Sequence, residues 1–266
     1  RKKLRGKNLK SSKKNIYHFT IFMNQYKFDI NDFELIKELN RGSFGKVYLV
    51  KNKQTKMLLA AKVIDAQKEI TQREKLSINR EIEIMIRIQN PAMIKFWGFS
   101  LCDFENANKV TLFMEYAKNG TLSDYIKEID SSINYNDNTI RQIILVGIVY
   151  GMMYIHKKGI IHFDLKPDNI LLDENFYPLI SDFGISERNE PGKKIKFLRG
   201  TPIYMAPEAI NAEEDNIDYY EKADVYSFGI LMFEFLTKSH PYPDYTHKTT
   251  VAFQKSVILD KIRPTF

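Results

Sequence analysis

The sequence has very little cysteine and tryptophan, with one residue of each in 266. A single cysteine, Cys102, excludes both an internal disulfide and a metal site built on several cysteines, and it fits a reducing compartment. A long apolar run is also missing. The longest, residues 143–155, is shorter than the ~20 residues that cross a bilayer, and it predicts a buried helix instead. We see no signal peptide.

The composition is that of a soluble globular protein. Hydrophobic residues make up 44% of the chain and charged residues 27%, which permits a large buried core and argues against disorder. The length is more than one simple domain needs and is normal for an enzyme with two lobes.

The basic charge is concentrated at the N-terminus. Residues 1–14 contain eight Lys or Arg and no acid, and removing them from the net charge of +7 leaves −1 for the rest. We favour a solvated arm for this segment. The alternative is contact with an anionic membrane or a nucleic acid, where a basic cluster gains about 1 kcal/mol per charge near an anionic surface. Because the chain begins with Arg, we expect it to be a fragment.

Hydrophobic periodicity divides the chain into a strand-rich part and a helical part. The pattern predicts strands across residues 33–63, a helix over 69–88 that ends before Pro91, and strands at 93–99 and 110–115. Beyond Gly120 it predicts mainly helices, one from an N-cap at Thr139 to a stop at Gly159 and another over 223–236.

The segment that carries most chemical information is residues 160–172, IIHFDLKPDNILL. Asp164 is placed to orient an acceptor hydroxyl and take its proton. Lys166 is suited to neutralise a phosphate in transfer, and Asn169 offers an oxygen ligand to Mg²⁺. A short polar string of this kind can be a surface loop, but a chance match of this length is improbable.

A second motif, Ser-Asp-Phe-Gly, begins at residue 181, and its aspartate lies thirteen residues after Asn169. Asp182 can chelate a metal that bridges phosphates, and we expect Phe183 to be buried. Gly184 allows the backbone to turn where another residue would clash. At this distance from the first motif, the pair indicates phosphoryl transfer.

Together these motifs resemble the eukaryotic protein kinase superfamily, from about Phe33 to the last residue. The resemblance implies an α+β, two-lobed fold with a small antiparallel β N-lobe, one regulatory helix and a larger, mainly helical C-lobe. The implied boundaries are a basic tail over 1–32, an N-lobe over 33–114, a hinge over 115–120 and a C-lobe over 121–266. We expect the C-lobe to be truncated before its last helices.

The resemblance also implies a nucleotide site. Residues 39–47, LNRGSFGKV, resemble the glycine-rich loop that approaches phosphates with its backbone N–H groups. Residues 112–120, LFMEYAKNG, resemble the hinge that binds adenine, with Met114 as the gatekeeper. The implied nucleotide-binding residues are Asn40, Gly42, Ser43, Phe44, Gly45, Val47, Ala60, Lys62, Met114, Glu115, Ala117 and Leu171.

The catalytic residues follow in the family's order. Lys62 would grip the α- and β-phosphates and pair with Glu81, for which Glu83 is the competing candidate. Residues 200–208, GTPIYMAPE, resemble the substrate-docking segment, and Asp224 would accept hydrogen bonds from the catalytic-loop backbone. The implied catalytic set is Lys62, Glu81, Asp164, Lys166, Asn169, Asp182 and Thr201, with Asn169 and Asp182 as the metal ligands.

The implied activity is an ATP-dependent kinase that phosphorylates serine or threonine in intracellular signalling. Lys166 and the segment 200–208 favour Ser/Thr over Tyr, and the sequence of residues 223–234 resembles that of the tyrosine-kinase-like group.

The resemblance also implies cofactors, which are ATP and Mg²⁺, with Mn²⁺ as an alternative metal. Implied partners are protein substrates, and no nucleic acid is expected. The implied location is the cytoplasm, or the cytoplasmic side of a membrane receptor if a membrane span lies upstream.

Two departures from the family keep alternatives open. Asn40 stands where the first loop glycine is expected, and Phe163 replaces an arginine that normally receives a phosphate on the activation loop. In residues 185–199 only Ser186 could accept that phosphate, so we expect regulation without activation-loop phosphorylation. The alternatives are a dual-specificity kinase and a weakly active, nucleotide-binding pseudokinase scaffold. We favour activity because every assigned catalytic residue is present.

Overall fold

The structure is a computed structural model that describes residues 24–42, 45–64, 72–105, 107–128, 138–189, 199–211, 220–246 and 249–265. Its contacts divide the chain into two compact units. The first unit comprises Arg1–Ile70 and Lys95–Tyr116, and the second comprises Thr71–Ile94 and Ala117–Phe266.

The first unit is built on a five-stranded antiparallel sheet with strand order β1-β2-β3-β5-β4. The strands are β1 (Phe33–Gly42), β2 (Gly45–Asn52), β3 (Leu58–Ile64), β4 (Phe96–Ser100) and β5 (Thr111–Glu115). β-branched and aromatic side chains suit such a pleated, half-buried surface. Its core includes Phe33 stacked on Phe113, with ring centroids 4.2 Å apart.

The segment before β1 lies against this sheet. The backbone N–H of Phe28 donates to the carbonyl oxygen of Phe99, and the N–H of Phe99 donates to the carbonyl oxygen of Tyr26. Gly98 is required at this approach, because a Cβ there would lie 2.5 Å from the Tyr26 carbonyl oxygen. The described part of the predicted tail, residues 24–32, is therefore packed on the sheet.

The second unit is mainly helical. Its helices are α1 (Gln72–Arg87), α2 (Leu122–Glu128), α3 (Asn138–Lys157), α4 (Pro207–Ile210), α5 (Glu221–Thr237) and α6 (Thr250–Leu259). Two short antiparallel pairs lie among them, one of β6 (Ile160–Ile161) with β9 (Glu187–Arg188) and one of β7 (Ile170–Leu172) with β8 (Pro178–Ile180).

Helix α3 buries one face, as its apolar stripe predicts. Ile144, Ile148 and Ile155 are fully buried, and a Cβ on Gly151 would lie 2.7 Å from side-chain atoms of Ile180 and Met93. Gly159 follows the helix with a φ of +67°, the left-handed conformation that ends helices. By length and composition α3 is the one helix of the described residues that could cross a membrane, a test that core helices also pass.

The α+β class and the order of strands and helices are confirmed. The antiparallel sheet belongs to the first unit, and α5 extends the predicted helix over 223–236 by two residues at its start and one at its end. The N-cap predicted at Thr139 was wrong, because α3 already includes Asn138 and Thr139 lies in its first turn. Helix α1, which the resemblance assigned to the N-lobe, is grouped with the second unit. The lobe boundaries themselves stay predictions.

Candidate active site

The predicted glycine-rich loop, residues 39–47, includes the end of β1 and the start of β2. Gly42 pairs with Gly45, and Asn40 pairs with Val47 next to an irregularity in the register. Gly45 has a φ of +131°, which favours glycine at this position. Ser43 and Phe44, also predicted to bind nucleotide, lie outside the described residues.

The register of the first unit's sheet aligns several predicted nucleotide residues. Lys62 lies opposite Val47 on β2 and opposite Leu112 on β5, while Ala60 lies opposite Met114. Because side chains two apart on a strand share a face, and paired residues do too, Lys62 is on the same sheet face as Ala60. Lys62 is half-buried. The strand pairing therefore gathers Val47, Ala60, Lys62 and Met114 on one surface.

The predicted hinge begins at the end of β5. The backbone N–H of Glu115 donates to the Lys95 carbonyl oxygen at 2.9 Å, and the Glu115 side chain accepts from the N–H of Lys95 at 2.6 Å. An adenine contact by the Glu115 backbone would thus fall to its carbonyl oxygen. Ala117 and Leu171 belong to the second unit; Ala117 is buried and Leu171 is half-buried.

In the second unit, the carboxylate of Asp164 is the centre of the predicted catalytic loop. Its Oδ1 accepts from the backbone N–H of Thr201 at 2.8 Å and from the Thr201 hydroxyl at 2.7 Å. Its Oδ2 accepts from the Asn169 amide at 3.0 Å and lies 3.0 Å from the ammonium nitrogen of Lys166. Lys166 also donates to the Thr201 hydroxyl at 2.7 Å. The structure therefore brings together four of the predicted catalytic residues.

The two predicted metal ligands are held next to each other by the backbone. The N–H and hydroxyl of Ser181, the residue before Asp182, both bind the carbonyl oxygen of Asn169, at 2.9 and 3.0 Å. The Asn169 amide nitrogen donates to the backbone carbonyl and the carboxylate of Asp164, which leaves its amide oxygen as the ligand atom. An amide oxygen and a carboxylate are the hard donors that Mg²⁺ prefers, so this pair fits the predicted metal.

Asp224 anchors the backbone of the catalytic loop. This carboxylate is 1% exposed, and it accepts from the N–H of His162 at 2.9 Å and from the N–H of Phe163 at 2.8 Å. His156 on α3 lies 2.8 Å from the same carboxylate. These bonds hold Phe163 at a φ of +65°, a strained value for a bulky residue. The predicted acceptor role of Asp224 agrees with this geometry.

The side chain of His162 also holds the catalytic loop in place, through two hydrogen bonds and a ring contact. The N–H of Asp164 donates to His162 Nδ1 at 3.2 Å, and His162 Nε2 lies 3.0 Å from the carbonyl oxygen of Ser181. The His162 ring meets the fully buried ring of Phe183 edge-on, with centroids 5.2 Å apart. In this pair of bonds the Nδ1 atom accepts, which leaves Nε2 as the donor to Ser181.

Glu81 lies beside the Asp-Phe-Gly motif within the second unit. A Cβ on Gly184 would be 3.4 Å from a carboxylate oxygen of Glu81 and 3.3 Å from one of Asp182. Glu81 is 5% exposed, whereas the rival Glu83 is more exposed and pairs with Arg87 on the same helix at 2.8 Å. The geometry of α1 thus favours Glu81. Its pairing with Lys62 stays a prediction.

A tyrosine in the middle of the predicted docking segment contacts a half-buried acid on α5. The Tyr204 hydroxyl donates to Glu234 on α5 at 2.5 Å. Burial raises the pKa of Tyr204 far above its usual range, and the adjacent Glu234 carboxylate adds to the effect. Burial also raises the pKa of Glu234, although the hydrogen bond from Tyr204 opposes that shift.

Sequence reasoning missed one cluster in the second unit. The Glu187 carboxylate on β9 binds Arg80 of α1 at 2.8 Å and Arg199 at 2.9 Å. Arg80 and Glu187 are 107 residues apart, so no local pattern connects them. The only signal in the sequence was an acid placed a few residues after a motif, which is common on protein surfaces.

Comparisons with known proteins agree with the motifs. The family model described as "Protein kinase domain" matches residues 33–264. An Aurora kinase of Saccharomyces cerevisiae is 33% identical over 89% of this chain, and Aurora kinase A-B of Xenopus laevis is 31% identical over 83%. NUAK family SNF1-like kinase 1 of Homo sapiens is 32% identical over 82%.

The matches cover 60%, 51% and 32% of those three relatives, so the chain spans less than two thirds of the length of each. The finer resemblance to the tyrosine-kinase-like group is not supported, since these relatives are Aurora and NUAK kinases. That resemblance rested on the sequence of α5. Because the buried face of this helix must meet packing requirements, kinases of different groups can share similar residues there.

Proposed function

Because this chain belongs to the protein kinase domain family, we propose that it transfers the γ-phosphate of ATP to serine or threonine hydroxyls of protein substrates. The observation that carries the proposal is the Asp164 carboxylate, which Thr201, Asn169 and Lys166 hold from three directions. Phosphoryl transfer depends mainly on positioning and charge stabilisation, and such fixed groups supply both.

In this reaction Asp164 orients the acceptor hydroxyl and takes its proton as the oxygen attacks phosphorus. The Thr201 hydroxyl donates to Asp164 and accepts from Lys166 at the same time. Thr201 therefore links the base to the cation and sets the distance between them. Lys166 then balances the negative charge that develops on the phosphate in transfer.

Asn169 and Asp182 are the proposed ligands of a magnesium ion, which would neutralise part of the charge of the phosphates when bound. Lys62 is proposed to bind the α- and β-phosphates, and the backbone around Gly42 and Gly45 to approach the triphosphate. For the adenine ring we propose the apolar side chains of Val47, Ala60 and Leu171, the Glu115 carbonyl oxygen and the backbone of Ala117. Mn²⁺ has the same ligand preferences and is the alternative metal.

The proposed acceptor is serine or threonine, and dual specificity is the second candidate. Lys166 and the sequence of residues 200–208 support the first, because tyrosine kinases usually lack a lysine at the position of Lys166. The pseudokinase alternative would need a lost ligand, base or lysine. Lys62, Asp164, Asn169 and Asp182 are all present, which supports an active enzyme.

We also propose that the domain works in the cytoplasm, which the single cysteine supports. The basic residues 1–14 are proposed to be a solvated arm, with contact to an anionic membrane as the alternative. Flotation with vesicles that contain or lack phosphatidylserine tests this part. Flotation only with the anionic vesicles, lost on deletion of residues 1–14, would favour the membrane.

The catalytic proposal is tested with a peptide array that contains Ser, Thr and Tyr acceptors, ATP labelled on its γ-phosphate, and Mg²⁺ or Mn²⁺. We expect label on Ser or Thr peptides, and none with Asp164→Asn. Label on Tyr peptides as well would favour dual specificity. Equal labelling by both proteins, or none by either in the presence of bound Mg·ATP, would remove the kinase proposal.

A further inference from the structure

Glu187 is a nearly buried acid that the proposed chemistry does not use. Its side chain is 6% exposed, and one carboxylate oxygen, Oε2, accepts from Arg80 at 2.8 Å and from Arg199 at 2.9 Å. A buried carboxylate is costly unless it is paired, and a pair with arginine adds charge-assisted hydrogen bonds. Among the described residues, two arginines on one oxygen make Glu187 the centre of an Arg80–Glu187–Arg199 cluster.

The cluster joins three parts of the second unit that carry proposed catalytic residues. Arg80 is on α1, directly before Glu81, and Glu187 is on β9, five residues after Asp182. Arg199 lies two residues before Thr201, which binds Asp164. The Glu187 carboxylate therefore connects the helix that presents Glu81 to the segment that positions Asp164.

A second contact supports the same connection. The hydroxyl of Ser77, one turn before Arg80 on α1, donates to the carbonyl oxygen of Gly184 at 3.0 Å. Helix α1 is thus attached at two points about one turn apart, once to Gly184 of the Asp-Phe-Gly motif and once to Glu187 on β9. Of these, only the Arg80–Glu187 contact is ionic and reaches Arg199 as well.

We propose that Glu187 is a positioning residue, which clamps α1 and the segment before Thr201 in the arrangement needed for phosphoryl transfer. This inference rests on the proposed kinase function and deepens it. A carboxylate is charged without any modification, so the clamp needs no phosphate group. Glu187 therefore supplies a built-in anion that makes activity independent of phosphorylation of this segment.

The test uses Arg80→Gln, Glu187→Gln and the double variant, with Arg87→Gln as the matched control. Arg87 is on the same helix and makes a salt bridge of the same length, but its partner Glu83 is also on α1. Arg80 has a 40% exposed side chain, so its replacement should leave the fold intact. Activity is measured well below the unfolding temperature, on protein treated with phosphatase and verified by mass spectrometry.

We expect kcat/KM to fall about tenfold in each single variant, a typical size for coupling between two sites. The kcat/KM of the double variant should be no lower than that of the less active single variant, because both changes break the same contact. Arg80→Lys should recover most of the activity, whereas Arg87→Gln should match the parent. Additive losses, or loss of parent activity on phosphatase treatment alone, would overturn the inference.

Hydrogen exchange separates this inference from the kinase proposal itself. Amides of residues 76–87 should exchange faster in Arg80→Gln and Glu187→Gln than in the parent or Arg87→Gln, whether or not phosphate is transferred. An inactive parent with that exchange pattern would contradict the kinase proposal but support the positioning role of Glu187. An active parent with unchanged exchange in both variants would contradict the positioning role of Glu187 alone.

Discussion

Gly200 is the position where a single added carbon should disturb the proposed catalytic loop most. Its φ is +119°, a region that non-glycine residues occupy only at a cost of about 1–3 kcal/mol. A Cβ there would lie 2.4 Å from the backbone carbonyl oxygen of Phe163. Because a backbone atom cannot rotate away as a side chain can, Gly200→Ala must move either the docking segment or the loop.

A shift of either segment would move a residue that positions Asp164. Phe163 precedes Asp164 in the chain, and Thr201, which follows Gly200, binds Asp164 Oδ1. A displacement of about 1 Å in such a site can cost about a hundredfold in rate. We therefore expect kcat/KM to fall at least about tenfold. The strain of about 1–3 kcal/mol should lower Tm by roughly 2–12 °C.

Gly229→Ala is the matched control, since it makes the same chemical change in the same unit. Gly229 is in the middle of α5, and nothing lies within 4 Å of a Cβ built there. Alanine should stabilise the helix by about 0.5–1 kcal/mol and leave kcat/KM unchanged. Calorimetry and the peptide assay measure both quantities. A Gly200→Ala protein with the parent's Tm and activity would refute the reasoning.

Three further predictions concern the second unit. Asp224→Asn removes one of the two carboxylate oxygens that accept from the His162 and Phe163 N–H groups. It should lower the free energy of unfolding by about 2–3 kcal/mol. A Tm within 2 °C of the parent would contradict this prediction. Gly151→Ala overpacks α3 against Ile180 and should destabilise by about 1–3 kcal/mol in urea titrations, so an unchanged midpoint would count against it. Burial raises the pKa of Glu234 in the folded protein above its ordinary value of 4.5. The contribution of Glu234 to the stability of the protein is therefore full below pH 4.5, and it is lost as the pH rises through the raised pKa. Glu234→Gln should therefore gain Tm relative to the parent at pH 7.5 compared with pH 4, and a difference that does not change with pH would exclude this.

The predictable parts of the site were those set by short-range spacing. Asp164, Lys166 and Asn169 lie within six residues, and the loop that carries them is closed by their own hydrogen bonds. Ala60 and Lys62 were implied by the family resemblance, and their common sheet face follows from the alternation of side chains along β3 once the strand is placed. In such segments local sequence largely determines local geometry.

Other features depend on contacts that no local pattern contains. The Arg80–Glu187–Arg199 cluster joins residues from α1, β9 and the docking segment, and its members look like ordinary surface charges in the sequence. The left-handed φ of Phe163 is imposed by the buried Asp224 carboxylate against the residue's own preference. The packing of residues 24–32 on the sheet depends on Gly98, whose role becomes visible only in three dimensions.

The most direct test of the account is the rate of phosphate transfer from Mg·ATP by the parent, by Asp164→Asn and by the control Asp244→Asn, an exposed aspartate outside the proposed site. Positioned acid–base groups contribute about 10²–10⁴-fold to rate. If Asp164 is the base, kcat falls by that factor in Asp164→Asn while nucleotide binding is retained, and it does not change in Asp244→Asn. Parent-like kcat in Asp164→Asn would contradict this role of Asp164.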